Sequence, residues 1–373
     1  MHKRIIGQSR IKVSPIGIGT RLVNQESQKK ELSKVVDTAI DEGVNFFMGA
    51  GHYSEGKAER ILGEVVEPHR ENIVLATSAG VEHSSSGATV SLGVELLEQQ
   101  VKQSLQNLRT DYIDLFQLHY YDPFSDLDSV KNYLDELISS DIIKSFGVSN
   151  FGLDVLREWD YPRIDAIQMP VSLLQPEAIE SYGEVLVDKK MSLLGYTPLL
   201  GGFFTKNKRI PQAFNHLLGD EVVSKLKQVV VDLETYGDSI GRSVSSLALS
   251  WVTMQLEVTS TLVGTINIEH LLKNLSAIQK PLLKSELEEI DKIMSQTNKF
   301  LPHGLSFPIV AEDVLEAPDG RHYISFYGTY LQVDQSVQKG DVLVLNDCTG
   351  CFVNKKESVR SINPQLRGKN ERI

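Results

Sequence analysis

The sequence predicts an α/β chain: a (β/α)8 TIM barrel with a small C-terminal β-rich extension. Three observations carry this expectation. From residue 15 to about 295, eight short apolar runs alternate with longer segments of helical periodicity. Several of the runs are continuously apolar rather than alternating, as parallel strands covered by helices require. After residue 295 the alternation stops, turn residues gather, and strand-like runs follow one another without helices. The predicted division is a barrel over residues 1–298 and a β module over residues 299–373.

The elements follow in order. Strands are expected near Ile16–Gly19, Asn45–Met48, Ile73–Thr77, Tyr112–Leu118, Ile143–Val148, Ala166–Met169, Ser192–Gly195 and Ser260–Val263. The segments between them suit helices: Glu31–Glu42, Ala58–Val66, Val94–Leu108, Ser129–Ser139, Val155–Glu158, Glu177–Lys189, Val222–Tyr236 with Val244–Gln255, and Glu269–Ile278. Ahead of the first strand, Arg4–Ile6 and Ile11–Val13 flank Gly7-Gln8-Ser9-Arg10, a hairpin able to plug the barrel bottom. Ser285–Met294 is a last helix, and His322–Val333 and Asp341–Leu345 are strand-like.

The chain has 373 residues, of which 41% are hydrophobic and 23% charged, so a disordered or fibrous chain is excluded. Its net charge of −11 argues against a nucleic-acid or anionic-membrane partner, which needs basic patches. No apolar run approaches the roughly 20 residues that span a bilayer, and the basic N-terminus lacks the apolar stretch of a signal peptide. A cytoplasmic protein acting on a small molecule is expected. Two cysteines are too few for a disulfide scaffold.

Several ordered motifs then point one way. They are Ser104-Leu105-Gln106-Asn107-Leu108-Arg109-Thr110-Asp111-Tyr112-Ile113-Asp114-Leu115-Phe116-Gln117-Leu118-His119, Gly147-Val148-Ser149-Asn150-Phe151, Ala166-Ile167-Gln168-Met169-Pro170 and Gly195-Tyr196-Thr197-Pro198-Leu199. With them go Asn45 through Tyr53 to Glu59-Arg60-Ile61-Leu62-Gly63, and Val263-Gly264-Thr265 with Glu269 and Asn274. Over roughly residues 4–295 the chain resembles the aldo-keto reductase family. That resemblance implies carbonyl reduction with a nicotinamide cofactor, NADP or NAD, and a tyrosine that gives a proton to the carbonyl oxygen.

The family surrounds that tyrosine with a Lys, an Asp and a His. By resemblance Tyr53 is the tyrosine and His119 the histidine. The Asp position holds Met48 and the Lys position holds Ser78. The two losses are consistent, because either charge alone would be buried without its partner. A free Tyr titrates near ~10 and needs help to act at neutrality. His119 could exchange a proton with it. His52 and Lys57 flank Tyr53 and Tyr120 follows His119; Lys57 falls in the turn before a helix.

The resemblance also implies cofactor positions. Ser149, Asn150 and Gln168 would hold the nicotinamide carboxamide, and Tyr196 would stack on the ring. Thr197, Leu199 and Gly201 would line the pyrophosphate path, while Gly264, Asn267, Glu269 and Asn274 would meet the adenosine half. Many members place Ser and Arg where this chain has Thr265-Ile266-Asn267. Asn267 supplies no charge for a 2′-phosphate, so the choice between NADP and NAD stays open. No metal site is expected: no His-Glu-x-x-His occurs, and Cys348-Thr349-Gly350-Cys351 provides only half of a zinc ligand set.

The C-terminal run from Tyr330 through Lys339-Gly340-Asp341 faintly resembles the small β domains of sugar-acid synthases and barrel-type decarboxylases. It could cover the barrel mouth or that of a partner subunit, which leaves a homo-oligomer built through this module open. Its basic residues Lys355, Lys356, Arg360, Arg367, Lys369 and Arg372 could meet an acidic surface or simply face solvent. The expected function is an oxidoreductase acting on a polar carbonyl or alcohol, sugar- or amino-acid-derived. The altered residues around Tyr53 keep two rivals open. One is a non-redox lyase or isomerase using Tyr53 and His119 as acid and base; the other is a non-catalytic binding subunit.

Overall fold

The structure is a computed structural model. It describes residues 1–84, 87–210, 219–301, 306–310, 314–326, 329–333, 335–339, 341–346 and 353–355. A two-stranded hairpin, β1 (Arg4–Ile5) and β2 (Lys12–Val13), comes first. Eight parallel strands then close into a barrel: β3 (Ile16–Gly19), β4 (Phe46–Met48), β5 (Val74–Ala79), β8 (Ile113–Leu118), β9 (Ile143–Ser149), β10 (Ile164–Pro170), β11 (Ser192–Tyr196) and β12 (Val258–Val263). All eight predicted strands are present. Their order around the barrel is the sequence order, with β12 paired to β3.

Strand alternation separates inside from outside. Phe46, Met48, Val74, Ala76, Leu115, Ala166, Leu194 and Leu262 form one cluster that fills the barrel, while Phe47 and Leu75 pack outward under the helices. The hairpin contributes Ile6 and Val13 to the interior cluster, so it seals the bottom as expected. Arg4 donates to the Thr253 and Val258 carbonyls at 3.0 and 2.6 Å, and Gln8 N donates to Asp165 Oδ1 at 2.9 Å. Gly7 has φ +49°, and a Cβ there would lie 2.3 Å from the Asp165 carbonyl oxygen. Only glycine allows the turn to sit this close to β10.

The outer layer holds α1 (Lys29–Asp41), α2 (Lys57–Val66), α3 (Val94–Leu108), α4 (Leu127–Ser139), α5 (Leu153–Glu158), α6 (Glu177–Asp188), α7 (Asp220–Ser239), α8 (Val244–Met254), α9 (Ile268–Gln279) and α10 (Lys284–Met294). In α1 the buried residues are Leu32, Val35, Val36 and Ala39, the spacing of one apolar stripe. Side chains start three of the helices: Asp126 accepts from Asp128 N, Ser243 from Ser246 N, and Asn267 from Glu269 N and His270 N. No described helix is long and apolar enough to cross a membrane.

Two features differ from the sequence expectation. The connection from β5 to α3 contains an antiparallel hairpin, β6 (Val81–Ser84) and β7 (Gly87–Val90), in a segment to which the sequence reading assigns no element. The run His322–Val333 is not one strand but two, β15 (His322–Phe326) and β16 (Thr329–Val333), paired antiparallel. They belong to a six-stranded sheet with β13 (Ser306–Val310), β14 (Val314–Glu316), β17 (Val342–Asn346) and β18 (Val353–Lys355), in the order β13-β17-β18-β16-β15-β14. This sheet meets the barrel through Tyr323, buried against Tyr121 and Phe124, and through the Arg321–Glu158 ion pair at 2.8 Å. Cys348, Cys351, Lys356, Arg360, Arg367, Lys369 and Arg372 lie outside the described residues.

Candidate active site

The C-terminal ends of the barrel strands gather most of the predicted residues at one mouth, where barrel chemistry is built. Tyr53 lies in the loop after β4. Gly49 N and Gly51 N donate to the carbonyls of Ala76 and Ser78, which ties this loop to the end of β5. After Tyr53 the chain turns through three left-handed residues, Ser54 (φ 52°), Glu55 (φ 57°) and Gly56 (φ 79°), before α2 begins at the exposed Lys57. Such a conformation costs roughly 1 kcal/mol or more at each non-glycine residue. The neighbouring contacts must hold it, as strained turns at functional sites are held.

His119 follows the last residue of β8 and is buried. Its ring stands edge-on to Tyr53, with centroids 6.0 Å apart, and His52 packs against both rings at 4.4 and 4.6 Å. Ser78, on β5, shares a 2.6 Å hydrogen bond with His119 Nδ1. The residue at the family's Lys position is thus a direct partner of the histidine. Met48 turns into the apolar barrel interior and takes no part in this polar group.

The electrostatics follow from burial. Desolvation holds His119 well below the usual histidine value, with the charges of His52 and Arg21 acting the same way. Desolvation pushes the Tyr53 hydroxyl up to about 12, opposed by Arg21. Tyr120 is raised by burial and also opposed by Arg21. The site holds a protonated phenol beside an uncharged imidazole.

Arg21 was not anticipated. Its signal is available in the sequence, because it lies two residues beyond the end of the first barrel strand, at the mouth. Glu59 was seen only as part of a motif. It is fully buried in the first turn of α2, its carboxyl bonded to Thr77 Oγ1 at 2.5 Å and Asn107 Nδ2 at 3.2 Å, and burial raises its pKa.

The second group of predicted residues lines the next strands round the mouth. Ser149 and Gln168 stand in register on β9 and β10. Asn150, with φ 56°, donates from Nδ2 to Ser149 Oγ and to the His119 carbonyl, and accepts from the Tyr196 hydroxyl at 2.7 Å. This chain of bonds joins His119 to Tyr196 across three strands. Gln168 Oε1 is buried with no hydrogen-bond partner among the described residues. Thr197 (φ 53°), half-buried Leu199 and exposed Gly201 (φ 63°) form the turn after β11. Gly264 follows β12, where a Cβ would lie 3.3 Å from Leu22 Cδ1. Asn267 is an N-cap, its carboxamide oxygen already accepting two backbone N–H groups. Glu269 is exposed and Asn274 half-buried on α9.

Known proteins share the fold and the sequence of this barrel. The chain is 28% identical over 304 residues to the uncharacterized oxidoreductase YqkF of Bacillus subtilis, covering 80% of this chain and 97% of that protein. It is 32% identical over 213 residues to the 6-dehydroglucose reductase of Novosphingobium aromaticivorans, covering 53% of this chain and 69% of that one. Among solved structures, the holo form of an aldo-keto reductase from Bacillus halodurans superposes with a TM-score of 0.68 at 25% identity, over 79% of this chain and 96% of the other. The Aldo/keto reductase family profile matches residues 15–295, from the first barrel strand through the last helix. A closed barrel, a profile match that spans it and a tyrosine–histidine pair at its mouth agree: the chain belongs to the aldo/keto reductase family.

Proposed function

We propose that this protein is a nicotinamide-dependent reductase of small polar carbonyl compounds, with Tyr53 as proton donor and His119 as the group that orients the carbonyl oxygen. The observation that carries the reading is the Tyr53–His119 pair, edge to face at the mouth of the barrel. The residues present fit a nicotinamide. The orphaned, buried Oε1 of Gln168 is an acceptor waiting for a donor such as a carboxamide NH2, and Ser149 and Asn150 flank it. Tyr196 would meet the ring, and Thr197, Leu199 and Gly201 the pyrophosphate. Gly264, Asn267, Glu269 and Asn274 would serve the adenosine half, with Asn267 acting through the helix end it caps. When bound, the nicotinamide supplies the hydride for the carbonyl carbon.

The protein's own part is to hold the oxygen and deliver the proton. Ser78 Oγ holds His119 Nδ1 at 2.6 Å; in the proposed state the hydroxyl donates to Nδ1, and His119 carries its ring proton on Nε2 and offers it to the carbonyl oxygen. Tyr53, pushed up to about 12, stays protonated across the working range. It remains a competent donor, because an alkoxide is far more basic than a phenolate, about as basic as hydroxide. The same shift leaves almost no phenolate at neutrality, so the reverse step, which needs a base, is disfavoured. It also weighs against the lyase or isomerase reading in which Tyr53 abstracts a proton. The similarity to a 6-dehydroglucose reductase supports a sugar-derived carbonyl as the substrate class.

The test is loss of reduced-nicotinamide absorbance with NADPH and NADH over a panel of sugar-derived and simple aldehydes. Tyr53→Phe should lower turnover by about 10²-fold or more. Wild-type turnover in that variant would remove Tyr53 from the chemistry. Failure to bind any nicotinamide by calorimetry would remove the reductase reading altogether.

A further inference from the structure

The turn after the first barrel strand, Thr20-Arg21-Leu22, is fastened to the candidate site from several sides. Thr20 donates to the Met48 carbonyl twice, from N at 3.0 Å and from Oγ1 at 3.2 Å. Ser54, the residue after Tyr53, donates its hydroxyl to the Val23 carbonyl at 3.2 Å. Leu22 packs against Gly264. Arg21 is therefore held at the barrel mouth between the loop that carries Tyr53 and the end of β12.

Among the described residues its charge has no answering carboxylate. Arg60, Arg109 and Arg321 are each ion-paired, whereas Arg21 is exposed and makes no ion pair or hydrogen bond among the described residues. Among the described residues, the Arg21 charge acts on Tyr53, on His119 and on Tyr120 alike. In a chain of net charge −11, the polar end of the barrel thus carries a cation that no described carboxylate neutralises. A guanidinium beside reacting groups, with its donors unspent, matches an oxyanion.

We propose that Arg21 receives an acidic substituent, carboxylate or phosphate, of the carbonyl substrate and so makes the enzyme selective for anionic carbonyl compounds. The proposal rests on the reductase reading above and narrows its substrate class. The anion sits on Arg21 while the carbonyl oxygen faces His119 and Tyr53, which fixes the substrate at two points and orients it.

Two matched pairs test this: 4-carboxybenzaldehyde against benzaldehyde, and glyceraldehyde 3-phosphate against glyceraldehyde. In the wild type, kcat/KM is expected to favour an acidic member over its neutral partner. In Arg21→Gln that ratio should fall about ten- to hundredfold, the worth of a charge-assisted contact, carried by KM. Arg21→Lys should keep part of it. The pair that shows the preference tells carboxylate from phosphate. A wild-type ratio near one, or a ratio unchanged in Arg21→Gln, overturns the proposal. The same four compounds are also titrated calorimetrically, with and without NADP, so the outcome does not depend on turnover. Acidic and neutral members binding alike sinks the Arg21 site. Arg21-dependent selectivity in binding without any reduction sinks the reductase reading and upholds the anion site.

Discussion

Ser78 Oγ lies 2.6 Å from His119 Nδ1, with both groups buried. The position where the family keeps a lysine for its tyrosine serves the histidine in this chain. Adjacent pairing of β5 and β8, with Ser78 opposite Gln117, brings the two together across 41 residues. A hydrogen bond to one ring nitrogen holds the plane of the buried imidazole.

Removing that hydroxyl should therefore cost catalysis rather than the fold alone. Ser78→Ala leaves a buried Nδ1 without its partner, a penalty of about 1–3 kcal/mol. The expected result is a fall in kcat/KM of roughly tenfold or more, with Ser78→Thr, which keeps a hydroxyl, recovering most of it. Steady-state kinetics with both variants decide the matter. Equal losses in Ala and Thr would mean that volume, not the hydrogen bond, matters at this position.

Met48 makes a complementary case. It belongs to the barrel-filling cluster with Phe46, Ala76, Leu115, Leu194 and Leu262. Met48→Asp alone buries a carboxylate among apolar side chains and should destabilise by about 3–5 kcal/mol. Adding Ser78→Lys should recover part of that loss, giving a non-additive double-mutant cycle in urea unfolding. The double variant should also gain general aldehyde reductase activity. Strict additivity would show that positions 48 and 78 cannot form the pair in this barrel.

The barrel was legible because each strand is a short, continuous apolar run between amphipathic helices, and that pattern survives in one dimension. That Tyr53, His119, Ser149, Asn150 and Gln168 gather at one barrel mouth was legible because their motifs sit at strand ends in fixed order. The Ser78–His119 bond was not, since Ser78 reads as a missing lysine until β5 and β8 lie side by side. Arg21 was missed because its loop contains no motif and its meaning comes from Tyr53 and His119, far along the chain. The β6–β7 hairpin was hidden by polar, turn-like composition. The split of His322–Val333 was hidden because two short antiparallel strands and one long strand share the same apolar spacing.

Burial of His119 also predicts how stability responds to acid. Its folded-state pKa is depressed, so the folded chain refuses a proton that the unfolded chain accepts near ~6.5. The stabilising contribution is complete above that value and is lost as pH falls below it. The melting temperature should decline through mildly acidic pH in the wild type. In His119→Gln, where the titrating group is gone, the decline over the same window should be shallower. Parallel curves for the two proteins would show that other groups govern the acid limb.

The loop that begins with Tyr120 and runs into α4 packs against the C-terminal sheet. Asp122 ties it down, accepting from Leu92 N, Phe124 N and Ser125 Oγ, and Tyr323 covers it from β15 by packing on Tyr121 and Phe124. Tyr330 meets Phe124 edge-on at 5.0 Å from the neighbouring strand β16. The sheet is thus a buttress for one wall of the mouth, on the loop that follows His119. Tyr323→Ala removes a fully buried ring and should cost about 3–5 kcal/mol in urea unfolding. Because the loop then loosens beside Tyr120, KM for the carbonyl compound should rise severalfold while kcat falls less. A drop in kcat with KM unmoved would instead mean that the sheet acts on the chemistry through His119 itself. Tyr323→Phe keeps the ring and should behave nearly as the wild type in both measurements, which separates loss of packing from loss of the hydroxyl.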